Sequence, residues 1–258
     1  MMKTLKIIKI GGNIIDNEPE LNIFLSRFSK LDGPKILVHG GGKLATEFAE
    51  KLNLEVNMID GRRITDKPNL EVIIMVYAGS INKKMIANLQ KEGCNAIGFT
   101  GADGNSIISI KRPVGEVDFG WVGDVVKVNT SIVSHLLELE VVPVFCAITH
   151  DENGQLLNTN ADTIASELAV AFASMYQTEL YYCFEKQGVL MDINDEKSVV
   201  ESMDRAAFMN LIDQGKISDG MLPKLENCFQ AINKNVKKVC IGKPEMLFEA
   251  NSLCTTLH

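Results

Sequence analysis

The chain has 258 residues, 46% of them hydrophobic and 23% charged, with 20 glycines, 7 prolines and a net charge of −7. A chain of this size buries about 70–75% of its unfolded surface, so it builds a core without disulfides or metals, and disordered and collagen-like classes are excluded. The negative charge, with no basic block longer than Lys237-Lys238, excludes a protein that coats nucleic acid and leaves a nucleotide substrate open.

β-branched runs alternate with segments of helical period, the pattern of parallel strands joined by crossover helices. In chain order, strand Leu5–Ile10 meets a glycine pair, and strand Lys35–His39 meets three glycines and then helix Lys43–Leu52. A long helix is expected over Asn69–Glu92, then strand Asn95–Phe99, and between Ile107 and Lys127 a β-excursion of short strands and glycine turns. Helix Ser131–Leu139 and strand Val141–Ile148 follow, and Asp151-Glu152-Asn153-Gly154-Gln155 reads as a hairpin tip because Asn-Gly takes the positive φ of a tight turn. The rest is helix Ala161–Met175, strand Glu179–Phe184, helices Arg205–Gln214 and Pro223–Asn233, and strand Val236–Ile241. With no internal repeat and no linker, the expected fold is α/β: one three-layer αβα sandwich around a mainly parallel sheet.

Lysines at 3, 6 and 9 interrupt the apolar N-terminal run, unlike a signal peptide, and the longest uncharged apolar stretch, Leu168–Tyr176, is too short for a membrane span. The six cysteines form no Cys-x-x-Cys pair and several sit in apolar runs, which suits buried free thiols in a reducing cytoplasm. No membrane and no nucleic-acid partner is expected.

Five features could carry chemistry. Lys9-Ile10-Gly11-Gly12 and His39-Gly40-Gly41-Gly42 end strands, where amides beside a helix start can hold an anion; alternatively the glycines only make tight turns. Neither is a P-loop or a Gly-x-Gly-x-x-Gly fingerprint. Lys9 points at whatever its loop cradles, or else is solvated. Asn158-Thr159-Asn160-Ala161-Asp162 starts a helix: one polar residue caps it, but three at alternate positions can face one way. Lys224, in a first helical turn, opposes the helix dipole unless an anion is near. Gly61-Arg62-Arg63-Ile64-Thr65 offers a guanidinium fork for a carboxylate or phosphate. Together these are the parts of phosphoryl transfer by positioning and charge neutralisation.

The set and its order, with Asn82-Lys83, Gly120-Trp121-Val122-Gly123-Asp124-Val125 and Asp219-Gly220-Met221-Leu222-Pro223-Lys224, resemble the amino-acid kinase family along essentially the whole chain, and within it the acetylglutamate kinases. The resemblance implies ATP-dependent phosphorylation of the side-chain carboxylate of N-acetyl-L-glutamate, with Mg2+ carried by the nucleotide and no metal ligands from the chain. It implies Lys9, Asp162 and Lys224 as catalytic residues, and Gly41, Gly42, Arg63, Asn158 and Asn160 as substrate contacts. Gly11 and Gly12, with Glu185, Lys186, Gln187, Gly188, Val189, Leu190, Lys216, Ile217 and Ser218, are implied on the nucleotide side. Residues 1–175 would form the acyl-glutamate lobe and 176–258 the nucleotide lobe. Related kinases usually follow the Glu179–Phe184 strand with Ser or Thr, then Asp, where this chain reads Phe184-Glu185-Lys186-Gln187-Gly188-Val189. The first strand starts almost at Met1, which implies an arginine-insensitive homodimer. N-succinyl-L-glutamate as acceptor and a non-catalytic nucleotide- or effector-binding relative are the competing readings.

Overall fold

The computed structural model describes residues 2–59, 61–192, 194–216 and 221–258. The chain begins with β1 (Thr4–Ile10), α1 (Gly12–Asp16), α2 (Glu18–Ser29), β2 (Lys35–His39) and α3 (Gly42–Lys51). The short hairpin of β3 (Met58–Ile59) and β4 (Arg62–Arg63) precedes α4 (Lys67–Ile74), a π-helical segment (Met75–Ile81) and α5 (Asn82–Lys91). Then come β5 (Ala96–Phe99), β6 (Ile107–Lys111), β7 (Gly123–Val128), α6 (Ser131–Glu138), β8 (Val142–Cys146), β9 (Ile148–His150), β10 (Leu156–Asn158) and α7 (Ala161–Phe172). The chain closes with β11 (Gln177–Cys183), β12 (Ser202–Met203), α8 (Arg205–Asp213), α9 (Leu222–Asn233), β13 (Lys238–Gly242) and β14 (Cys254–Leu257).

Eight strands form one sheet in the order β12-β14-β13-β11-β1-β2-β8-β5. All neighbours pair in parallel except β13 and β14. Every residue of β2 and β8 is buried, which in a parallel sheet requires cover on both faces. The cover comes from two helix groups: α7 lies along β1, β2 and β11 and packs on α9, while α5 packs on β5, β8 and α2. The expected αβα sandwich is therefore the architecture found.

The β-excursion becomes a second, four-stranded sheet, β10-β9-β6-β7. Its β9–β10 hairpin turns at the expected tip, where the Asp151 carboxylate accepts from the Asn153 and Gln155 amides at 2.8 and 3.0 Å.

Two of the expected elements are broken in the structure, while helices α1 and α2 and strands β3, β4, β12 and β14 were not expected from the sequence. The expected strand Val141–Ile148 breaks at Ala147 into β8 of the large sheet and β9 of the small one. The Ala147 carbonyl accepts from Thr159 N–H (3.1 Å) and the Ile148 carbonyl from Gly101 N–H (2.7 Å), so the chain leaves the parallel ladder there. The expected helix Asn69–Glu92 is interrupted over residues 75–81 by a wider π-helical turn. That turn sets Tyr77 and Ile81 against the second glycine run, where a Cβ on Gly41 would collide with the Ile81 side chain and crowd the Tyr77 ring. Gly41 itself has φ +148, a conformation that side chains resist.

Candidate active site

Parallel sheets place functional groups beyond the carboxyl ends of their strands. Here β1 and β2 lie side by side at the sheet centre and release their glycine runs at the same end, which is also where α7 begins. Asn160 caps α7, its side-chain oxygen accepting from the Asp162 and Thr163 amides at 2.7 and 3.2 Å. The cap fixes Asp162 in the first turn, directly over β1.

Asp162 joins the two lysines that the sequence separates by more than 200 positions. Its Oδ1 lies 2.7 Å from Lys9 Nζ and its Oδ2 3.4 Å from Lys224 Nζ. The three side chains are only 16–26% exposed. Burial works to raise the Asp162 carboxyl, but the charges of Lys9 and Lys224 outweigh it and hold the group below its ordinary value, so it stays ionised. Two ammonium groups share one carboxylate, leaving a net positive centre for a more anionic ligand.

Beside this centre lies a cavity of 240 Å3 lined by Gly42, Arg62, Arg63, Tyr77, Arg112, Phe119, Val122, Asn158, Asn160, Thr163 and Asn227, among others. Arg63 is 8% exposed, and its Nη2 donates to the Gly42 carbonyl (2.9 Å) and Thr46 Oγ1 (2.6 Å). Its Nη1 is buried with no hydrogen-bond partner among the described residues, a donor that calls for an acceptor. Asn158 donates to Thr65 Oγ1 at 3.0 Å. The segment 119–122 stitches the cavity wall together, with Thr65 N–H donating to the Phe119 carbonyl (2.9 Å) and Asn158 N–H to the Trp121 carbonyl (2.9 Å). Arg112 grips Asp124 through its Nε and Nη2, the shortest contact being 2.6 Å.

The structure thus brings together Lys9, Asp162 and Lys224, and gathers Gly42, Arg63, Asn158 and Asn160 at the adjoining cavity. Gly41 lies behind that lining, packed on the π-helical turn. The Gly11 amide is occupied, donating to the Cys183 carbonyl at 3.0 Å and tying the ends of β1 and β11 together; Gly12 begins α1. The 184–190 segment runs along the other half of the sheet. Glu185 is exposed and lines a separate cavity of 670 Å3 together with Phe184, Asp16, Lys43, Lys243 and Glu245. Lys186 reaches Glu196 at 3.4 Å, Gln187 passes close to Gly242, and Gly188 packs on Thr255. Val189 N–H donates to Thr255 Oγ1 at 2.8 Å and Leu190 bridges Val199. Lys216 is exposed after α8. Ile217 and Ser218, with Asp219 and Gly220 of the same motif, lie outside the described residues.

Sequence reasoning missed the cavity's far wall, Met58, Tyr77, Arg112, Phe119, Val122, Ala147, Thr163 and Asn227. Of these only Val122 fell within a motif that had been singled out. The rest come from elements whose approach depends on tertiary packing.

Comparison with known proteins places nearly the whole chain in a family. The sequence profile of the amino acid kinase family matches residues 4–243. The chain is 51% identical over 249 residues to the acetylglutamate kinase of Cytophaga hutchinsonii, covering 96% of this chain and 94% of that one. It is 50% identical to the Bacteroides fragilis acetylglutamate kinase (93% and 92% covered), and 34% to that of Methanopyrus kandleri (95% and 97%). Among solved structures, the fold is shared with N-acetylglutamate synthase from Neisseria gonorrhoeae, at TM-score 0.81 and 18% identity over 99% of this chain and 60% of that one. It is also shared with carbamate kinase from Giardia lamblia, at TM-score 0.73 and 13% identity over 99% and 98%. The chain belongs to the amino acid kinase family, among its acetylglutamate kinases.

Proposed function

We propose that this kinase transfers the γ-phosphoryl group of ATP to the side-chain carboxylate of N-acetyl-L-glutamate, giving N-acetyl-L-glutamyl 5-phosphate and ADP, in the second step of arginine biosynthesis. The observation that carries the reading is the Lys9–Asp162–Lys224 centre opening beside an arginine-lined cavity. The acceptor's α-carboxylate pairs with Arg63, whose buried Nη1 has no partner among the described residues, and with Asn158. Its side-chain carboxylate then faces the lysines. The residue roles rest on this geometry together with the motif resemblance.

The acceptor is already ionised near pH 7, so no general base is required. A carboxylate oxygen forms the new bond to Pγ while the bond from Pγ to the β–γ bridging oxygen breaks and ADP leaves with that electron pair. Negative charge spreads over the equatorial oxygens and the leaving oxygen, where Lys9 and Lys224 act. Asp162 holds both ammonium groups in place and remains ionised throughout. Blocking the substrate amine as an amide prevents it from attacking the acyl phosphate.

Mg2+ comes with ATP, held by phosphate oxygens and water, and neutralises phosphate charge when bound. Asp162, the carboxylate of the centre, is engaged by Lys9 and Lys224. The division of labour follows the sheet. Residues 1–175 supply β1, β2, β8 and β5 and nearly all of the cavity wall, and form the acyl-glutamate lobe; residues 176–258 supply β11 to β14 and form the nucleotide lobe.

The working form is a homodimer, supported by edge strand β5 with its exposed Ile97 ending the large sheet. The working compartment is the cytoplasm, supported by five of the six free thiols being buried.

The test is ADP release with Mg-ATP against L-glutamate, N-acetyl-L-glutamate and N-succinyl-L-glutamate, with hydroxylamine trapping the acyl phosphate. Hydroxamate from N-acetyl-L-glutamate alone is expected. Hydroxamate only from another acid would change the substrate, and none from any acid would leave a nucleotide-binding protein without turnover.

A further inference from the structure

Lys9 and Lys224 are held differently. Lys9 sits at 2.7 Å from Asp162, a tight ion pair, whereas Lys224 stands at 3.4 Å from the other carboxylate oxygen. What Lys224 has in addition is aromatic: its Nζ lies 4.9 Å from the centroid of the Phe184 ring and 5.7 Å from that of Tyr182. Both rings are on the β11 side of the site. Tyr182 is buried, and its hydroxyl donates to the Asp162 backbone carbonyl at 3.0 Å. Phe184 N–H donates to the Gly242 carbonyl at 3.0 Å, and its Cβ lies against Gly11 of the first glycine run.

A ring face attracts a cation within about 6 Å without accepting a directed hydrogen bond. An ammonium held this way is oriented while keeping its N–H donors for other acceptors. A second carboxylate in the same place would hold Lys224 more strongly but would cancel its charge and occupy those donors.

We propose that Phe184 is a positioning residue for Lys224: its ring face, backed by Tyr182, holds the ammonium beside the Asp162 carboxylate with its donors free for the transferring phosphoryl group. The consequence for rate rests on the kinase reading above; the cradle itself does not.

Two measurements separate these. In protein labelled with 13C at lysine Cε, the Lys224 signal, assigned by its loss in Lys224→Arg, is expected upfield of the other lysines through the ring currents, and is expected to move towards them in Phe184→Leu. A Lys224 signal already among the surface lysines, or one unmoved by Phe184→Leu, overturns the proposal whether or not the protein turns over. The second measurement replaces Phe184 with 4-fluoro- and 3,4,5-trifluorophenylalanine, which keep the ring's shape and progressively drain its face. The expected result is a stepwise fall in kcat, reaching about three- to tenfold for the trifluoro ring, with KM for N-acetyl-L-glutamate and the melting temperature unchanged. Phe184→Trp is expected to retain most of the rate. Equal kcat across the fluorinated series, or loss of rate only in parallel with melting temperature, overturns the proposal. Absence of hydroxamate in the wild type, with the lysine signal shifted as expected, overturns the kinase reading and leaves the cradle standing.

Discussion

At the scale of single residues, charge and position separate the two halves of the reaction. In the proposed mechanism Lys224 stabilises charge that develops as the phosphoryl group moves, so Lys224→Ala is expected to lower kcat by about 10²–10³-fold with little change in KM. Steady-state ADP release measures it, and a matching rise in KM would place Lys224 in ground-state binding instead. Arg63 works the other way. Its guanidinium supports the Gly42 carbonyl and Thr46 and offers the cavity a buried donor with no partner among the described residues. Arg63→Ala is expected to raise KM for N-acetyl-L-glutamate at least about tenfold while kcat changes far less. Arg63→Lys is not expected to rescue it, because a lysine cannot bond Gly42, Thr46 and a carboxylate in one plane. The same assay under varied acceptor concentration decides both.

At the scale of elements, the glycine run after β2 is held from beneath by a buried polar chain. His39 is fully buried; its Nδ1 donates to the Gly40 carbonyl at 2.8 Å, and its Nε2 accepts from Asn82 Nδ2 at 3.1 Å. Asn82 also donates to the Val144 carbonyl at 3.0 Å, and its oxygen accepts from Lys83 at 3.3 Å. One side chain thus ties α5 to β2 and β8, packed on Gly98, where any Cβ would collide with it. Asn82→Ala leaves these groups unpartnered and is expected to cost about 2–3 kcal/mol, on the order of 5–10 °C in melting temperature; an unchanged calorimetric transition would contradict it. Asn82 was legible as a motif, but its partners were not, because sequence spacing says nothing about which strand a helix will cross. Six of the eight strands of the large sheet were legible from β-branched runs and the α7 start from its Asn160 cap, whereas β12 and β14, at one end of that sheet, were not, and α3 follows a glycine run with no side-chain cap. The Asp162 centre followed only from the resemblance of the ordered motifs, since pairing residues 9, 162 and 224 needs the fold. Helices α1 and α2 were readable and not read: Asn17 caps α2 by accepting from Glu20 N–H, Pro19 stands in its first turn, and Leu21, Phe24, Leu25 and Phe28 bury one face. The π-helical turn had no local signal, because it exists to fit Tyr77 and Ile81 under Gly41.

At the scale of the whole molecule, the centre of the sheet carries a built-in dependence on pH. His39 lies inside the sheet with no carboxylate among its hydrogen-bond partners, and burial pushes its imidazole down to about 4, the bond to the Gly40 carbonyl only partly opposing this. In the unfolded chain the same group titrates near its ordinary 6.5. Between those values the unfolded state binds a proton that the folded state refuses, so the stability this depressed group supports is fully present above about pH 6.5 and is lost as pH falls towards 4. From pH 7 to pH 5 the loss from this one histidine is about 2 kcal/mol. Asp162, also held below its ordinary value, acts in the same direction but only below that window, as pH falls past the usual carboxylate range. The difference in urea unfolding between the wild type and His39→Gln at the two pH values therefore isolates His39. The wild type is expected to lose about 2 kcal/mol more between pH 7 and pH 5 than His39→Gln, which keeps a polar side chain but cannot be protonated. Equal losses in the two proteins would mean that the buried imidazole accepts its proton in place, and that the chain from Asn82 to Gly40 rearranges to receive it.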